Sequence, residues 1–222
     1  MKRKIFVFIL LACVCFTFAG CGKTTKDFVL ENMSELTKTY YFAEDENLSV
    51  SISSGERETD YAMDGRSSKK TPFALVSVKF SSNQNLQEIS AKIDIESEKL
   101  TKILEFNPLN STFMCDLERF VANGKEVSIE IDEKTLKLAD LSQDFGTNWD
   151  QAIEIAIKNL RPEIEKERKF ANLGAECYLK IMDKKVNNFD DFFWCFTVVN
   201  IKNENFSIVI STVDGSVLAK SK

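Results

Sequence analysis

The chain has 222 residues, contains no histidine and carries 29 basic and 34 acidic residues, so its net charge is −5. The lack of histidine excludes imidazole general bases, Ser-His and Cys-His nucleophilic pairs, and zinc sites with a histidine ligand. Beyond the first four residues no basic cluster offers the positive surface that nucleic-acid binding requires. We therefore expect no cofactor, no nucleic-acid partner and no catalytic activity.

The first 20 residues have the pattern of a secretory signal peptide. Residues 2–4 are all basic, and the apolar run of residues 5–18 is 14 residues long. That run is shorter than the roughly 17 to 25 residues that cross a bilayer as a helix. Two small residues, Ala19 and Gly20, then precede Cys21, as expected near a cleavage site.

The segment Phe18-Ala19-Gly20-Cys21 resembles the lipobox of bacterial lipoproteins. In that family a small residue precedes a cysteine that is diacylated and becomes the mature N-terminus. The match departs from the family at Phe18, where leucine is usual. The resemblance implies a signal peptide at residues 1–20, a lipid such as palmitate on Cys21, and a location on the extracytoplasmic face of the cell membrane. An uncleaved signal anchor and a released secreted protein are the alternatives.

The remaining chain is acidic and large enough for one large or two small domains. Removal of residues 1–20 takes away three basic residues and no acidic one, so the net charge of −5 becomes about −8. A change in the period of the apolar residues near Gly146 divides the rest. We expect a lipidated tether at residues 21–27, a β-rich domain at 28–146 and an α+β domain at 147–222.

Residues 28–146 alternate short apolar runs with turn residues. Between 89 and 95 the apolar residues fall on every second position, which is the period of a strand with one buried face. Six or seven strands at this spacing predict a β-sandwich or a small barrel, of which we favour the sandwich. The expected strands are 39–42, 48–53, 72–80, 89–95, 100–106, 112–117 and 127–131.

Residues 147–222 change to a helical period and then return to strands. Trp149, Ala152, Ile153 and Ala156 share one helical face, which predicts a helix that starts after Thr147. Strands are expected at 175–182, 192–201, 205–212 and 216–219, the last two joined through Asp214-Gly215. This order predicts one helix packed on a four-stranded antiparallel sheet.

The helix Gln151–Ile157, the strand Trp194–Val198 and the segment Ile208–Leu218 resemble a PepSY domain. The segment departs from that family at Val213, which stands between the strand and the Asp-Gly turn. The resemblance implies a helix-then-sheet domain without catalytic residues that binds or restrains a peptidase. Residues 27–146 resemble the β-rich halves of lipoproteins from low-GC Gram-positive bacteria. The predicted fold class is therefore α+β, with a sandwich-like domain followed by a PepSY-like domain.

Cys177 and Cys195 are a candidate disulfide. A hairpin folded about Val186 places them on neighbouring strands, where close cross-strand pairs approach disulfide geometry. We favour two free cysteines in a buried strand, because unpaired cysteine is among the most buried residue types.

One segment combines charge, glycine and an aromatic residue in an apparent loop, where binding residues often lie. A solvated hairpin connection is the interpretation that we favour for it. The candidate binding residues are Glu56, Arg57, Glu58, Tyr61 and Asp64.

Two functional classes agree with these patterns. The first is a membrane-anchored lipoprotein with a non-enzymatic binding role, whose partner is an envelope protein or a peptidase. The alternative is a carboxylate-dependent envelope hydrolase or a substrate-binding component. The sequence predicts no catalytic and no metal-ligating residue.

Overall fold

The computed structural model describes residues 23–59, 68–82, 85–169, 172–184 and 191–221. Helices span α1 (Thr25–Glu31), α2 (Trp149–Asn159) and α3 (Arg161–Glu167), and a short 3-10 helix spans Leu141–Gln143. Within these ranges every helix falls short of the length and apolar character that a membrane span requires. The strands are β1 (Met33–Glu44), β2 (Leu48–Glu58), β3 (Lys70–Phe80), β4 (Glu88–Ile95), β5 (Glu98–Asn107), β6 (Thr112–Asp116), β7 (Val127–Ile131), β8 (Lys134–Asp140), β9 (Arg168–Lys169), β10 (Asn172–Leu173), β11 (Ala175–Met182), β12 (Phe193–Asn200), β13 (Asn205–Ser211) and β14 (Val217–Ser221).

Strands β1 to β8 form a closed antiparallel barrel with the order β1-β2-β3-β6-β5-β4-β7-β8. The barrel closes where β8 returns to β1, with Tyr41 opposite Asp140 and Phe42 opposite Ala139. Alternation along each strand sends one set of side chains into the interior. The buried interior residues are Tyr41, Leu48, Val50, Ile52, Ala74, Val76, Val78, Ile89, Ala91, Ile93, Ile95, Leu104, Phe113, Leu117, Val121, Val127, Ile129, Ile131 and Leu138.

Strands β11 to β14 extend the same sheet away from the barrel. β11 lies parallel to the first half of β1, with Met33 opposite Cys177 and Leu36 opposite Leu179. β12, β13 and β14 follow in antiparallel order. The three helices cover one face of this extension, and we call β11–β14 together with α1–α3 the wing. The buried residues of its core are Val29, Met33, Leu36, Tyr40, Ala152, Ile153, Ala156, Leu160, Ile164, Leu173, Ala175, Cys177, Leu179, Ile181, Trp194, Phe196, Val198, Ile208 and Ile210.

Strand β1 belongs to both regions. Its inward residue Tyr41 is fully buried in the barrel, whereas its outward neighbour Tyr40 is buried in the wing core. A strand presents successive side chains to opposite faces, so one strand supplies both cores. Within the described residues, Val29 is the first residue of either core.

The predicted α+β fold, a sandwich-like domain followed by a PepSY-like domain, is wrong. The residues form a closed barrel whose sheet continues into the wing as one twelve-stranded sheet. Helix α2 and the last four strands occur near their predicted positions, but β11 joins β1 and the sheet does not stand alone. Local sequence patterns indicated where the strands lie. The closure of the barrel by β8 on β1 and the parallel pairing of β11 with β1 depend on residues far apart in the chain.

The strand that closes the barrel, β8, was absent from the predicted strands. Only Leu136 and Leu138 carry its apolar signal, between lysines and a threonine. A tight turn joins it to β7, with positive φ at Asp132 (49°) and Glu133 (65°), which suits the twist of a two-residue hairpin. These turn residues are not the usual Asn-Gly or Asp-Gly, so the hairpin had a weak sequence signature.

Candidate binding groove

A groove of about 400 Å³ lies on the outer surface of the barrel, beside the wing. Its floor carries outward side chains of β1, β2 and β3, and the end of β11 contributes one wall. Small-molecule sites commonly have volumes of about 300–1,000 Å³. We call it the β1–β3 groove; its lining residues are Tyr40, Phe42, Glu44, Asp45, Leu48, Ser49, Ser51, Ser77, Lys79, Phe80, Ser81, Asn110, Thr112, Met182 and Asp183.

A cross-strand row with two serines forms the floor. Ser51 on β2 lies opposite Phe42 on β1 and opposite Ser77 on β3. Residues directly opposite on one face have Cβ atoms about 4.5–5.5 Å apart, so these side chains are neighbours. Serine is short, which leaves the space open, and its hydroxyl donates one hydrogen bond and accepts two. The intervening Val50 and Ile52 are fully buried in the barrel.

Aromatic rings form the wall that faces the wing. The ring of Phe192, just before β12, lies 5.3 Å from the ring of Tyr40 and 5.2 Å from that of Phe42. Burial raises the pKa of Tyr40, whose hydroxyl also hydrogen-bonds to Ser51. Tyr40 is buried and Phe42 is half-buried, so Phe42 offers the more accessible apolar surface.

The end of the groove that lies beside the end of β1 is charged. Ser49 lies between Glu44 and Lys79 in a second cross-strand row. The carboxylate of Asp45 accepts from Lys134, whose nitrogen is 2.6 Å away, and this bond lowers the pKa of Asp45. A general acid needs a raised pKa, so this carboxyl is unsuited to that role. Across the described ranges Lys79 forms no ion pair, and its exposed ammonium can meet a ligand.

The five residues predicted as a binding loop do not form one loop in the structure. Glu56, Arg57 and Glu58 are the last three residues of β2, and Glu56 is 2.7 Å from the ammonium of Lys38. Tyr61 and Asp64 lie outside the described residues. None of the three strand residues lines the β1–β3 groove.

The charges at the end of β2 serve the fold. Arg57 donates to Asp116 across the sheet, and buried Glu58 accepts the backbone N–H of Ser68. Gly55 is the glycine of the segment that was predicted to be a loop, but it lies within β2. There β1 passes so close to β2 that only a residue without a side chain fits.

Cys177 and Cys195 are free thiols, as is Cys115. The β11–β12 register places Cys177 opposite Val198 and Cys195 opposite Lys180, three positions away from the predicted hairpin register. Cys177 points into the wing core and Cys195 lies on the other face of the sheet, which precludes a disulfide in this register. Burial raises the pKa of both thiols.

Sequence reasoning did not find the groove, although part of its signal was present. Residues 48–53 alternate apolar residues with serines, which predicts a strand whose outer face carries hydroxyls. The sequence does not show that β11 ends beside that face. In the described segments, no group of three or more Asp, Glu or Cys residues is arranged to hold a metal ion.

Comparison of the chain with models of protein families, with curated proteins and with solved structures found no match. The proposed function therefore rests on the geometry of the groove and on the sequence pattern of the first 23 residues.

Proposed function

We propose that the chain is a lipid-anchored, non-enzymatic binding protein on the extracytoplasmic face of the cell membrane. Its β1–β3 groove binds a hydroxyl-rich ligand with an apolar face, and a saccharide of the cell envelope has this chemistry. The observation that carries the proposal is the row of Phe42, Ser51 and Ser77 on the groove floor.

The chemistry of this row suits a saccharide. Sugar hydroxyls need partners that both donate and accept, and serine hydroxyls do both. The C–H face of a sugar ring packs against an aromatic ring, which Phe42 provides at the same edge. An extended peptide would instead favour a free sheet edge, where its backbone adds as a strand. Here β1, β2 and β3 are paired on both sides.

The pattern at the start of the chain supports the anchor. The cationic start, the short apolar run and the small residues before Cys21 together favour secretion followed by lipidation. Cys21 lies outside the described residues, and the described fold begins two residues later at Lys23. The peptidase partner rested on the PepSY resemblance, which the fold does not support.

The groove is tested with a filling variant and a matched control. Ser77→Phe places a ring on the groove floor, whereas Ser90→Phe makes the same change on the exposed outer face of β4. Saturation-transfer NMR with a trisaccharide of N-acetylglucosamine should show contact for the unmodified protein and for Ser90→Phe. The signal should be lost in Ser77→Phe.

An equal signal from both variants would refute the groove as the binding site. Contact with an extended peptide of similar mass, and none with the trisaccharide, would indicate a protein partner instead.

The anchor is tested separately by metabolic labelling with a radioactive fatty acid. The unmodified protein should carry the label in the membrane fraction, and Cys21→Ala should carry none. Labelling that survives in Cys21→Ala would contradict the assignment of Cys21.

A further inference from the structure

We infer that a basic face that includes Lys23 docks on anionic lipid headgroups and directs the β1–β3 groove away from the membrane. This inference rests on the proposed attachment of the chain to a membrane. The folded body would then make a second contact with the bilayer, besides the lipid anchor. That contact would also fix the orientation of the binding site.

The basic face surrounds a depression of about 710 Å³ between the start of α1, the second half of α2 and α3. Five basic side chains line it against two carboxylates. The lining of the depression is therefore positive in a chain that is negative overall, and Lys23 and Lys26 also pair with Glu31 and Asp150 beside it. The basic residues are Lys23, Lys26, Lys158, Arg161 and Arg168.

The carboxylates in and beside the depression already have partners. Lys26 donates to Glu154 at 2.8 Å and forms an ion pair with Asp150 at 2.7 Å. Glu165 accepts from the hydroxyl of Thr25 at 2.7 Å and lies 3.4 Å from Arg168.

Lys23 forms an ion pair with Glu31 at 2.8 Å. The other two basic residues of the face have no such partner. Lys158 and Arg161 are both exposed, and neither forms an ion pair with any residue that the structure describes. The face therefore presents free positive charge to whatever lies in front of it. Guanidinium and ammonium groups bind phosphate oxygens with charge-assisted hydrogen bonds.

The basic face lies close in the chain to the proposed lipid anchor, so a lipid surface is the partner that we expect it to bind. Lys23 follows Cys21 by two residues, and an extended chain spans at most about 3.6 Å per residue. The face therefore begins within roughly 7 Å of an anchor at Cys21, which is less than the Debye length of about 8 Å at physiological ionic strength. Attraction to anionic headgroups is therefore only partly screened over that distance.

Docking on this face sets the direction of the groove. The helix α1 leads directly into β1 at Met33, whereas the groove lies near the other end of β1, around Phe42 and Glu44. At about 3.3 Å per residue, β1 extends roughly 35 Å. Docking on this face would thus hold the groove at the end of β1 that is farther from the membrane.

The test measures lysine reactivity in the membrane-attached protein. Protein purified from membranes is reconstituted into vesicles of phosphatidylcholine, with or without phosphatidylglycerol, and acetylated briefly before mass spectrometry. Lys158 and Lys23 should react about fivefold or more slowly in the anionic vesicles, since headgroups cover them. Lys99 and Lys137, exposed on the barrel, should react equally in both.

Charge reversal provides the matched comparison. Lys158→Glu/Arg161→Glu should abolish the difference at Lys23, whereas Lys99→Glu/Lys137→Glu, with the same charge change on the barrel, should retain it. Raising the salt from about 0.1 M to about 0.5 M should also abolish the protection. Equal reactivity of Lys158 in both vesicles, or protection of Lys99 and Lys137 instead, would overturn the inference. Fatty-acid labelling of Cys21 is independent of these results, so the anchor and the docking face can fail separately.

Discussion

The barrel and the wing enclose their cores in different ways. The barrel interior is surrounded by strands alone, and aliphatic residues from eight strands fill most of it. The wing core lies between one face of a sheet and three helices, and it contains the large indole ring of Trp194. A closed sheet needs only alternation to bury its residues, whereas an open sheet needs a second layer. The helices therefore occur only beside the wing in the described part of the chain.

Strand β1 links the two regions energetically. Its outward residues complete the wing core and its inward residues complete the barrel core. Loss of either core removes contacts on one face of β1, so we expect the two regions to unfold together. The following changes test that coupling, from the largest expected effect to the smallest.

Trp194→Ala should lower the free energy of unfolding by about 3–5 kcal/mol. The ring is 1% exposed, packs edge-on against Phe145 at 5.9 Å and donates its N–H to the carbonyl of Thr147 at 2.8 Å. Urea unfolding followed by far-UV circular dichroism and by fluorescence of Trp149 measures the loss.

A variant in the barrel core gives the matching measurement for the other region. Ile129→Ala, at a site that is 1% exposed, should cost about 2–5 kcal/mol and should also give one transition. Two separate transitions in either variant would show that the barrel and the wing are independent.

Gly55→Ala should cost about 1–3 kcal/mol, because it forces β1 and β2 apart where β1 enters the barrel. A Cβ atom at this position would lie 1.9 Å from the carbonyl oxygen of Leu36. Ser53→Ala, two residues earlier on β2, should change stability by about 0.5 kcal/mol or less. Equal melting temperatures for the two variants would refute the close approach.

Asn148→Ala should lower the free energy of unfolding by about 1 kcal/mol, because it removes the N-terminal cap of α2. The Asn148 side chain accepts the N–H of Gln151 at 3.0 Å, and Gln151 accepts the N–H of Asn148 at 2.9 Å. Hydrogen exchange should become faster in the first turn of α2, and by about fivefold at barrel amides that exchange only when the whole domain unfolds. Asn148→Asp keeps the acceptor and should behave like the unmodified protein.

Alkaline pH should weaken the barrel. Burial raises the pKa of Cys115 from 9.0 to about 11 and that of Tyr41 from 10.0 to about 12. The folded state therefore holds these protons more tightly than the unfolded state, and their contribution is fully present below pH 9. The free energy of unfolding should fall as the pH rises from 9 towards 12. Cys115→Ala should make the fall shallower in urea titrations, and an identical fall would contradict this assignment.

Local sequence patterns predicted most of the individual helices and strands. They did not predict how the strands assemble into one sheet. The alternation from Ile89 to Ile95 and the apolar face of α2 lie within one element, so the chain shows them directly. The first half of β1 was missed because it carries Ser34 and Glu35. Their partners, Glu176 and Lys180, follow about 140 residues later.

The groove could be predicted only in part for the same reason. Alternating serines indicated an outer face rich in hydroxyls, but the aromatic wall depends on Phe192 reaching Tyr40 across the sheet. The parallel contact between β1 and β11 that brings them together has no local pattern. The charged segment at the end of β2 was predicted to be a loop. Instead it belongs to the strand, and Glu56 and Arg57 form ion pairs with other residues of the sheet.

The position of β1 also has a mechanical consequence. If the protein is held at its N-terminal end, a force on the body passes through α1 into β1, along the axis of that strand. β1 is hydrogen-bonded to β2 on one side and to β11 and β8 on the other. Such a load must shear many hydrogen bonds at once instead of opening them one by one. A pull at the N-terminal end would therefore load a strand that is paired on both sides.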